Sequence, residues 1–270
     1  MTTTDRFRGL GSSLPELRAQ RELLGVACRR HLTNKYRRSA IGVGWVLLTP
    51  LLTALVMFAV FNTLFSLQDT GGWPFLAYVY SGIGMFGCFQ QTALDIAPTL
   101  RSNAGILTRT GAAPEIFVLS SVVTGLVGLC ASTLIVTAIL VAYGAAPGIS
   151  LVLLPVALLA IGSLSLGVGA FLAHVSIQYE DVSSISAVGL TVLGYLTPTF
   201  YPVSIIPHDW RGVYQVNPLV SLLDIHREAL GATPTVDWPV RAYAITLSIV
   251  VGVGALHSFR RRWPRVVTEL

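Results

Sequence analysis

Between Glu115 and Glu180 the chain reads IFVLSSVVTGLVGLCASTLIVTAILVAYGAAPGISLVLLPVALLAIGSLSLGVGAFLAHVSIQY (residues 116–179), without one Asp, Glu, Lys or Arg. A hydrocarbon core about 30 Å thick is crossed by a helix of about 20 apolar residues. The run is therefore too long for one crossing. It is divided by Tyr143-Gly144-Ala145-Ala146-Pro147-Gly148, whose Gly and Pro residues punctuate helices. Two spans follow, at 116–142 and 150–173. Outward from this run, residues 39–68, 70–94, 182–208 and 242–259 are also uncharged. They predict spans at 43–65, 73–94, 182–200 and 240–259, which brings the number to six.

The composition agrees. Of 270 residues only 11% are charged, against about 25% in an ordinary soluble domain. Apolar residues make up 53%, and the mean hydropathy is +0.68. A soluble chain of this size needs more charge to cover its surface. The fold class is an all-α polytopic membrane protein, with residues 1–270 forming a single transmembrane domain. A soluble enzyme is excluded, as is a nucleic-acid binder, despite the net charge of +5. The first apolar segment follows about 40 polar and basic residues and is of full span length, unlike the short core of a cleavable signal peptide. Cys28, Cys88 and Cys130 are scattered and have no metal-ligand spacing, so no metal site and no disulfide framework is expected.

Basic residues set the orientation, because cytoplasmic loops carry the excess of Lys and Arg. Arg6, Arg8, Arg18, Arg21, Arg29, Arg30, Lys35, Arg37 and Arg38 precede the first span. Arg101 and Arg109 lie between spans two and three, and Arg260, Arg261, Arg262 and Arg265 follow span six. With six spans these 15 of the 18 basic residues share one side, and Arg211, Arg227 and Arg241 lie on the other. Both termini are expected in the cytoplasm of a bacterial cell, with the chain multi-pass in its plasma membrane.

The connections carry further signals. Ser13-Leu14-Pro15-Glu16 reads as a capping box, and Leu14, Leu17, Leu24, Cys28 and Leu32 form an approximate helical stripe. Residues 13–36 thus predict an amphipathic interfacial helix with its basic side toward anionic headgroups. Residues 98–114 have room for a short helix at 99–107. The connection at Gln178-Tyr179-Glu180-Asp181 is much shorter and acidic. After span five, residues 201–231 predict an external gate segment. Pro198, Pro202, Pro207 and Pro218 interrupt helix there. Residues 220–230 read as a short amphipathic helix with Asp224, Arg227 and Glu228 on its polar side. The segment is expected to be re-entrant, with its non-helical backbone buried in protein or lining an aqueous cavity.

Two motifs together resemble a known family. The first is Tyr36-Arg37-Arg38-Ser39-Ala40-Ile41-Gly42-Val43-Gly44-Trp45, followed by Thr49-Pro50-Leu51-Leu52. The second is Pro198, Tyr201-Pro202, Pro207, Trp210, Asn217-Pro218-Leu219, Arg227 and Leu230-Gly231. Lying 160 residues apart in a six-span frame, they resemble the permease subunits of type 2 ABC exporters of lipid-linked polysaccharide, such as O-antigen, teichoic acid and capsule. The resemblance covers residues 15–260. Family members often carry Arg-Asp between spans four and five, where this chain has Glu180-Asp181. That departure puts a specific ion pair there in doubt, but not the fold.

The resemblance implies two permeases, each supplying half a channel, working with two ATP-binding subunits. This chain has no Gly-x-x-x-x-Gly-Lys-Ser/Thr motif, and its only lysine is Lys35. It is therefore expected not to be an enzyme, and to bind no cofactor itself. ATP and Mg belong to the partner subunit. Three roles are expected. Arg101, Ser102, Asn103 and Arg109 would couple to the ATPase, with Glu180 and Asp181 at a second contact. Tyr36, Arg37, Arg38 and Trp45 would form the gate that admits the lipid-linked substrate from the inner leaflet, the arginines attracting its pyrophosphate. Positive-inside anchoring explains those arginines equally well. Phe86, Phe89, Tyr195, Phe200, Tyr201, Trp210 and Asn217 would line the channel and the external gate, since sugars stack on aromatic rings. Membrane-interface anchoring is the alternative for the aromatics. Asp95 and His174 sit near span ends, where solvation accounts for both.

Other readings have less in their favour. A secondary transporter needs internal repeats and a mid-depth ion site, and neither is evident. An intramembrane enzyme built on Ser163, Ser165 and His174 competes with the ordinary use of small residues in membrane helix packing. A type 2 ABC permease for a drug or lipid is opposed only by the two motifs. Arginine outnumbers lysine 17 to 1, a usage that suggests a GC-rich genome and, in such a cell wall, a galactan as cargo.

Overall fold

The computed structural model describes residues 21–36, 39–64, 73–105, 107, 114–145, 148–179 and 181–266. The capping box at Ser13 and Glu16, Arg37, Arg38, Arg109 and Glu180 lie outside the described residues. No strand occurs among those described. In order come α1 (Arg21–Tyr36), α2 (Trp45–Leu64), α3 (Phe75–Ser102), α4 (Pro114–Ala142), α5 (Leu154–Gln178) and α6 (Asp181–Leu196). Two short helices follow, α7 (His208–Val216) and α8 (Pro218–Ala229), and then α9 (Trp238–Val266). The chain is a polytopic helical membrane protein. Among the described residues four helices are long and apolar enough to cross a membrane by length and composition: Gly42–Phe61, Pro114–Ala142, Ile149–Ser176 and Trp238–Phe259. Helix α6 is apolar but shorter, at 16 residues.

Helix α3 is as long as these and more polar, because it is the hub of the bundle. It packs on α2, α4, α5, α6 and α8, and α3 and α4 contribute to all three apolar clusters. One cluster joins Phe75 and Tyr80 at the start of α3 to Val136 and Leu140 near the end of α4, with Ala54 of α2. A second joins Ile96 and Leu100 to Ile116 and Val122, with Ala27, Leu166 and Ala173. The third lies between them, where Met85 and Phe89 meet Ile161, Leu222 and Ala244. Helices α3 and α4 are thus antiparallel. The end of α3, the start of α4 and the end of α5 meet α1 at one end of the bundle.

Two helix ends and the burial of one helix differ from the sequence reading. Helix α3 continues to Ser102 rather than ending near 94, and no separate helix begins at 99. Pro98 removes the backbone donor to the Leu94 carbonyl, yet the helix runs on through it to Ser102. Helix α6 stops at Leu196 instead of 200, ahead of Pro198. Residues 220–230 are not amphipathic toward solvent. Leu219 through Arg227 are all buried, charges included.

The most extensive helix pairing, α5 against α9, is built on small residues. Ser163 and Gly167, spaced i, i+4 on one face of α5, meet Gly252 and Val251 on α9. A Cβ added at Gly252 would stand 2.7 Å from the Ser163 carbonyl oxygen, and one at Gly167 would crowd the Val251 backbone at 3.0 Å. Small residues let membrane helices approach closely, so dispersion and short polar contacts hold them. Gly254, two residues on, has open space around its would-be Cβ. Gly252→Leu is expected to destabilise the fold by about 2 kcal/mol through overpacking, and Gly254→Leu to be near neutral. Thermal unfolding of the two variants in matched detergent checks this.

Candidate functional site

At the end of the bundle away from α1, Arg227 is enclosed at 5% exposure. Its Nε donates to Ser81 Oγ (3.2 Å), Nη1 to the Pro198 carbonyl (3.1 Å), and Nη2 to the Tyr78 and Thr199 carbonyls (3.1 and 3.3 Å). The guanidinium also lies 3.5 Å from the centre of the Tyr78 ring. Pro198 and Thr199 belong to the turn where α6 stops. The arginine therefore takes up carbonyls that the broken helix leaves without partners. Gly82 makes room for it, since a Cβ there would run into Thr199 O and approach Arg227 Nη2 at 2.9 Å.

The adjoining face of α8 is held by a second arginine. Arg241, on the first turns of α9, pairs through Nη2 with Asp224 and through Nη1 with Glu228. Asp224 also accepts from Thr235 N (3.0 Å), Thr235 Oγ1 (2.6 Å) and Val236 N (3.2 Å). Between the two arginines, His226 meets Thr133 Oγ1 through Nε2 at 3.0 Å. Burial, with the Arg227 charge beside it, pushes this imidazole down to about 4 and keeps it neutral. Asn217 caps α8, its Oδ1 accepting from Leu219 N (3.0 Å), and its Nδ2 donates to Thr197 Oγ1 (3.0 Å).

The aromatic residues singled out from the sequence fall into three environments. Phe89 is enclosed at 2% exposure in the middle cluster, and Phe86 packs beside it with ring centres 5.9 Å apart. This position offers no open surface for Phe89 in a channel wall. Tyr195 and Phe200 form a second pair, also at 5.9 Å, and Tyr195 is exposed. The Tyr201 hydroxyl donates to the Tyr195 carbonyl (2.9 Å). Trp210 is exposed on α7, in line with exposed Val213 and Val216.

At the α1 end, Arg101 donates through Nη2 to the carbonyl of Ser176, in the last turn of α5. The two connections expected to face an ATPase are thereby tied to each other. Ser102 Oγ and Asn103 Nδ2 both turn back to the Thr99 carbonyl (3.1 and 2.8 Å) and close the end of α3. Asp181 opens α6 and is exposed. Tyr36 ends α1. Trp45 opens α2 at the mouth of a cavity of about 280 Å³ between α2, α3 and α4. Asp95 also lines that cavity. Its carboxylate lies 3.6 Å from His31 Nε2 on α1, and His31 Nδ1 meets Thr99 Oγ1 at 3.2 Å. Ser163 and Ser165 donate to carbonyls of their own helix, at Leu159 and Ile161, as packing residues do. Among the described residues no cluster of His, Cys, Asp and Glu suits a metal.

Comparison with known proteins settles the family. A model described as "ABC-2 type transporter" matches residues 22–230. The chain belongs to the ABC-2 type transporter family. Similar relatives include the O-antigen export system permease protein RfbA of Klebsiella pneumoniae, 26% identical over 89% of this chain and 92% of the relative. The protein of that name from Myxococcus xanthus is 29% identical over 77% of this chain and 80% of its own length. This ABC-2 protein is thus a multi-pass chain of the cytoplasmic membrane and is similar to permease subunits.

Sequence reading placed Arg227 in a motif and Arg241 at the external end of the sixth span, and gave neither a role. The available signal was three charges at i, i+3 and i+4 inside an otherwise apolar helix, with another arginine 14 residues beyond. Charges in such surroundings pair with one another or with backbone carbonyls. Arg227→Lys is expected to fail as a substitute, because an ammonium cannot spread across four acceptors as a planar fork does. Removing one partner of a buried pair, as in Arg241→Leu, should destabilise by roughly 3–5 kcal/mol. Unfolding midpoints of both variants, compared with wild type, test these expectations.

Proposed function

We propose that this chain is the permease half-channel of an exporter that moves a lipid-linked polysaccharide across the cytoplasmic membrane. ATP hydrolysis on a separate subunit supplies the energy. The observation that carries this reading is similarity to O-antigen export permeases over nearly the whole length of both chains. Helices α2, α3, α4, α5, α6 and α9 are the six spans. The 15-to-3 distribution of basic residues puts both termini in the cytoplasm. The segment of α7 and α8 then forms a re-entrant external gate. Two copies of the permease enclose the channel and work with two ATPase subunits. The substrate reaches the channel laterally near Trp45. A cell-wall galactan is the proposed cargo, from the arginine-rich, lysine-poor composition.

Arg101 has two jobs in this scheme. It lies on the cytoplasmic surface that meets the ATPase, and its bond to the Ser176 carbonyl makes the two contact segments move together. Replacing Arg101 and Asn103 with alanine is expected to abolish export while leaving membrane insertion and ATP hydrolysis in place. Glycan at the cell surface, permease abundance in membranes and ATPase activity of the purified complex report the three quantities. Export at the wild-type level would reject the coupling role.

A further inference from the structure

We infer that the cavity between α2, α3 and α4 is a binding groove for a neutral, hydroxyl-rich ring, the sugar unit next to the lipid pyrophosphate. This rests on the export reading and names which part of the substrate the groove holds. Its walls follow one face of each helix. Gly84, Gly87, Gln91 and Asp95 lie on α3, a stripe of about 16 Å at 1.5 Å per residue. Trp45, Thr49 and Thr53 lie on α2, opposite small residues of α4. Polar side chains line the length of this groove, and polar groups that face a cavity between membrane helices mark substrate paths.

Helix packing alone does not account for the space. Three glycines of the groove are tight: a Cβ at Gly125 would strike the Thr92 hydroxyl, one at Gly128 would approach Val46 at 3.0 Å, and one at Gly84 would approach Ser132 at 3.2 Å. Gly87 differs, since a Cβ there meets nothing within 4 Å. Its φ is not positive, so no backbone requirement calls for glycine. Glycine within a helix is less stable than alanine. What it gives here is open volume in the groove floor. Beside it, the buried hydroxyl of Thr92 finds no partner beyond the neighbouring Cys88 thiol.

The chemistry of the walls selects the ligand. Thr53 Oγ1 spends its proton on the Thr49 carbonyl (2.9 Å), and Thr124 Oγ1 spends its proton on the Ser120 carbonyl (2.8 Å). Their oxygens are left as acceptors. Asp95 is an acceptor, and Gln91 offers an amide that both donates and accepts. A wall rich in acceptors suits a guest that brings many O–H donors. The Trp45 ring offers a face for sugar C–H groups. A cation, Arg30, lines the adjoining hollow of about 260 Å³, which shares His31 and Asp95 with the groove. The anionic linkage of a sugar pyrophosphate is accommodated there.

The test uses the full chain in lipid nanodiscs, titrated with a polyprenyl pyrophosphate carrying one N-acetylhexosamine and with the same lipid lacking the sugar. Wild type should bind the sugar-bearing lipid about tenfold more tightly, the equivalent of one or two hydrogen bonds. Gly87→Leu adds bulk to the groove at a position where a Cβ meets nothing within 4 Å, and Gln91→Leu removes the amide. Each should erase the preference and leave binding of the bare lipid unchanged. Equal binding of the two lipids by wild type overturns the groove assignment alone. So does a preference that survives in both variants. Failure to bind either lipid overturns the groove and the export reading together.

Discussion

The buried guanidinium of Arg227 is the interaction on which the outward half of the bundle depends. Its four acceptors come from the start of α3 and from the turn after α6, so one side chain on α8 fixes three parts of the chain. Without water, backbone carbonyls released by a broken helix must find donors within the protein. The prolines after Leu196 create the shortage and Arg227 relieves it. With α8 fixed on that side, Asp224 and Glu228 face the start of α9, where Arg241 takes both. Two arginines thus set the position of a 12-residue helix too short to cross the membrane by itself.

Small residues serve two opposite ends in the same bundle. Between α5 and α9 they remove volume so that backbones touch, as at Gly167 and Gly252. Along α3 they alternate between the two uses. Gly82 admits an arginine and a carbonyl, whereas Gly87 faces empty space. Composition alone cannot distinguish these, because the difference lies in what stands opposite.

Much of the architecture is legible in the sequence for a simple reason: charge is excluded from lipid, so its absence marks helices along the chain. The uncharged run after Glu115 contains α4 and α5, with the break near Gly148 as expected. The sequence reading begins the short helix at Val220, whereas it starts at Pro218 with Asn217 as its cap. Pairing is another matter. Arg227 meets Tyr78 and Ser81 across separations of 149 and 146 residues, and His31 lies beside Asp95 of a different helix. A count of charges orients the loops but does not reveal partners.

Helix α2 stands apart from this tightly held bundle. Only 6% of its most apolar stretch is buried within the protein. Local stability follows buried contact, and segments with few contacts open at low free energy while the core remains intact. The helix carrying Trp45 is therefore the one that the rest of this chain holds least. Its resting position should respond to what surrounds the chain more than that of α4, α5 or α9, which gives those surroundings a direct mechanical hold on one wall of the cavity.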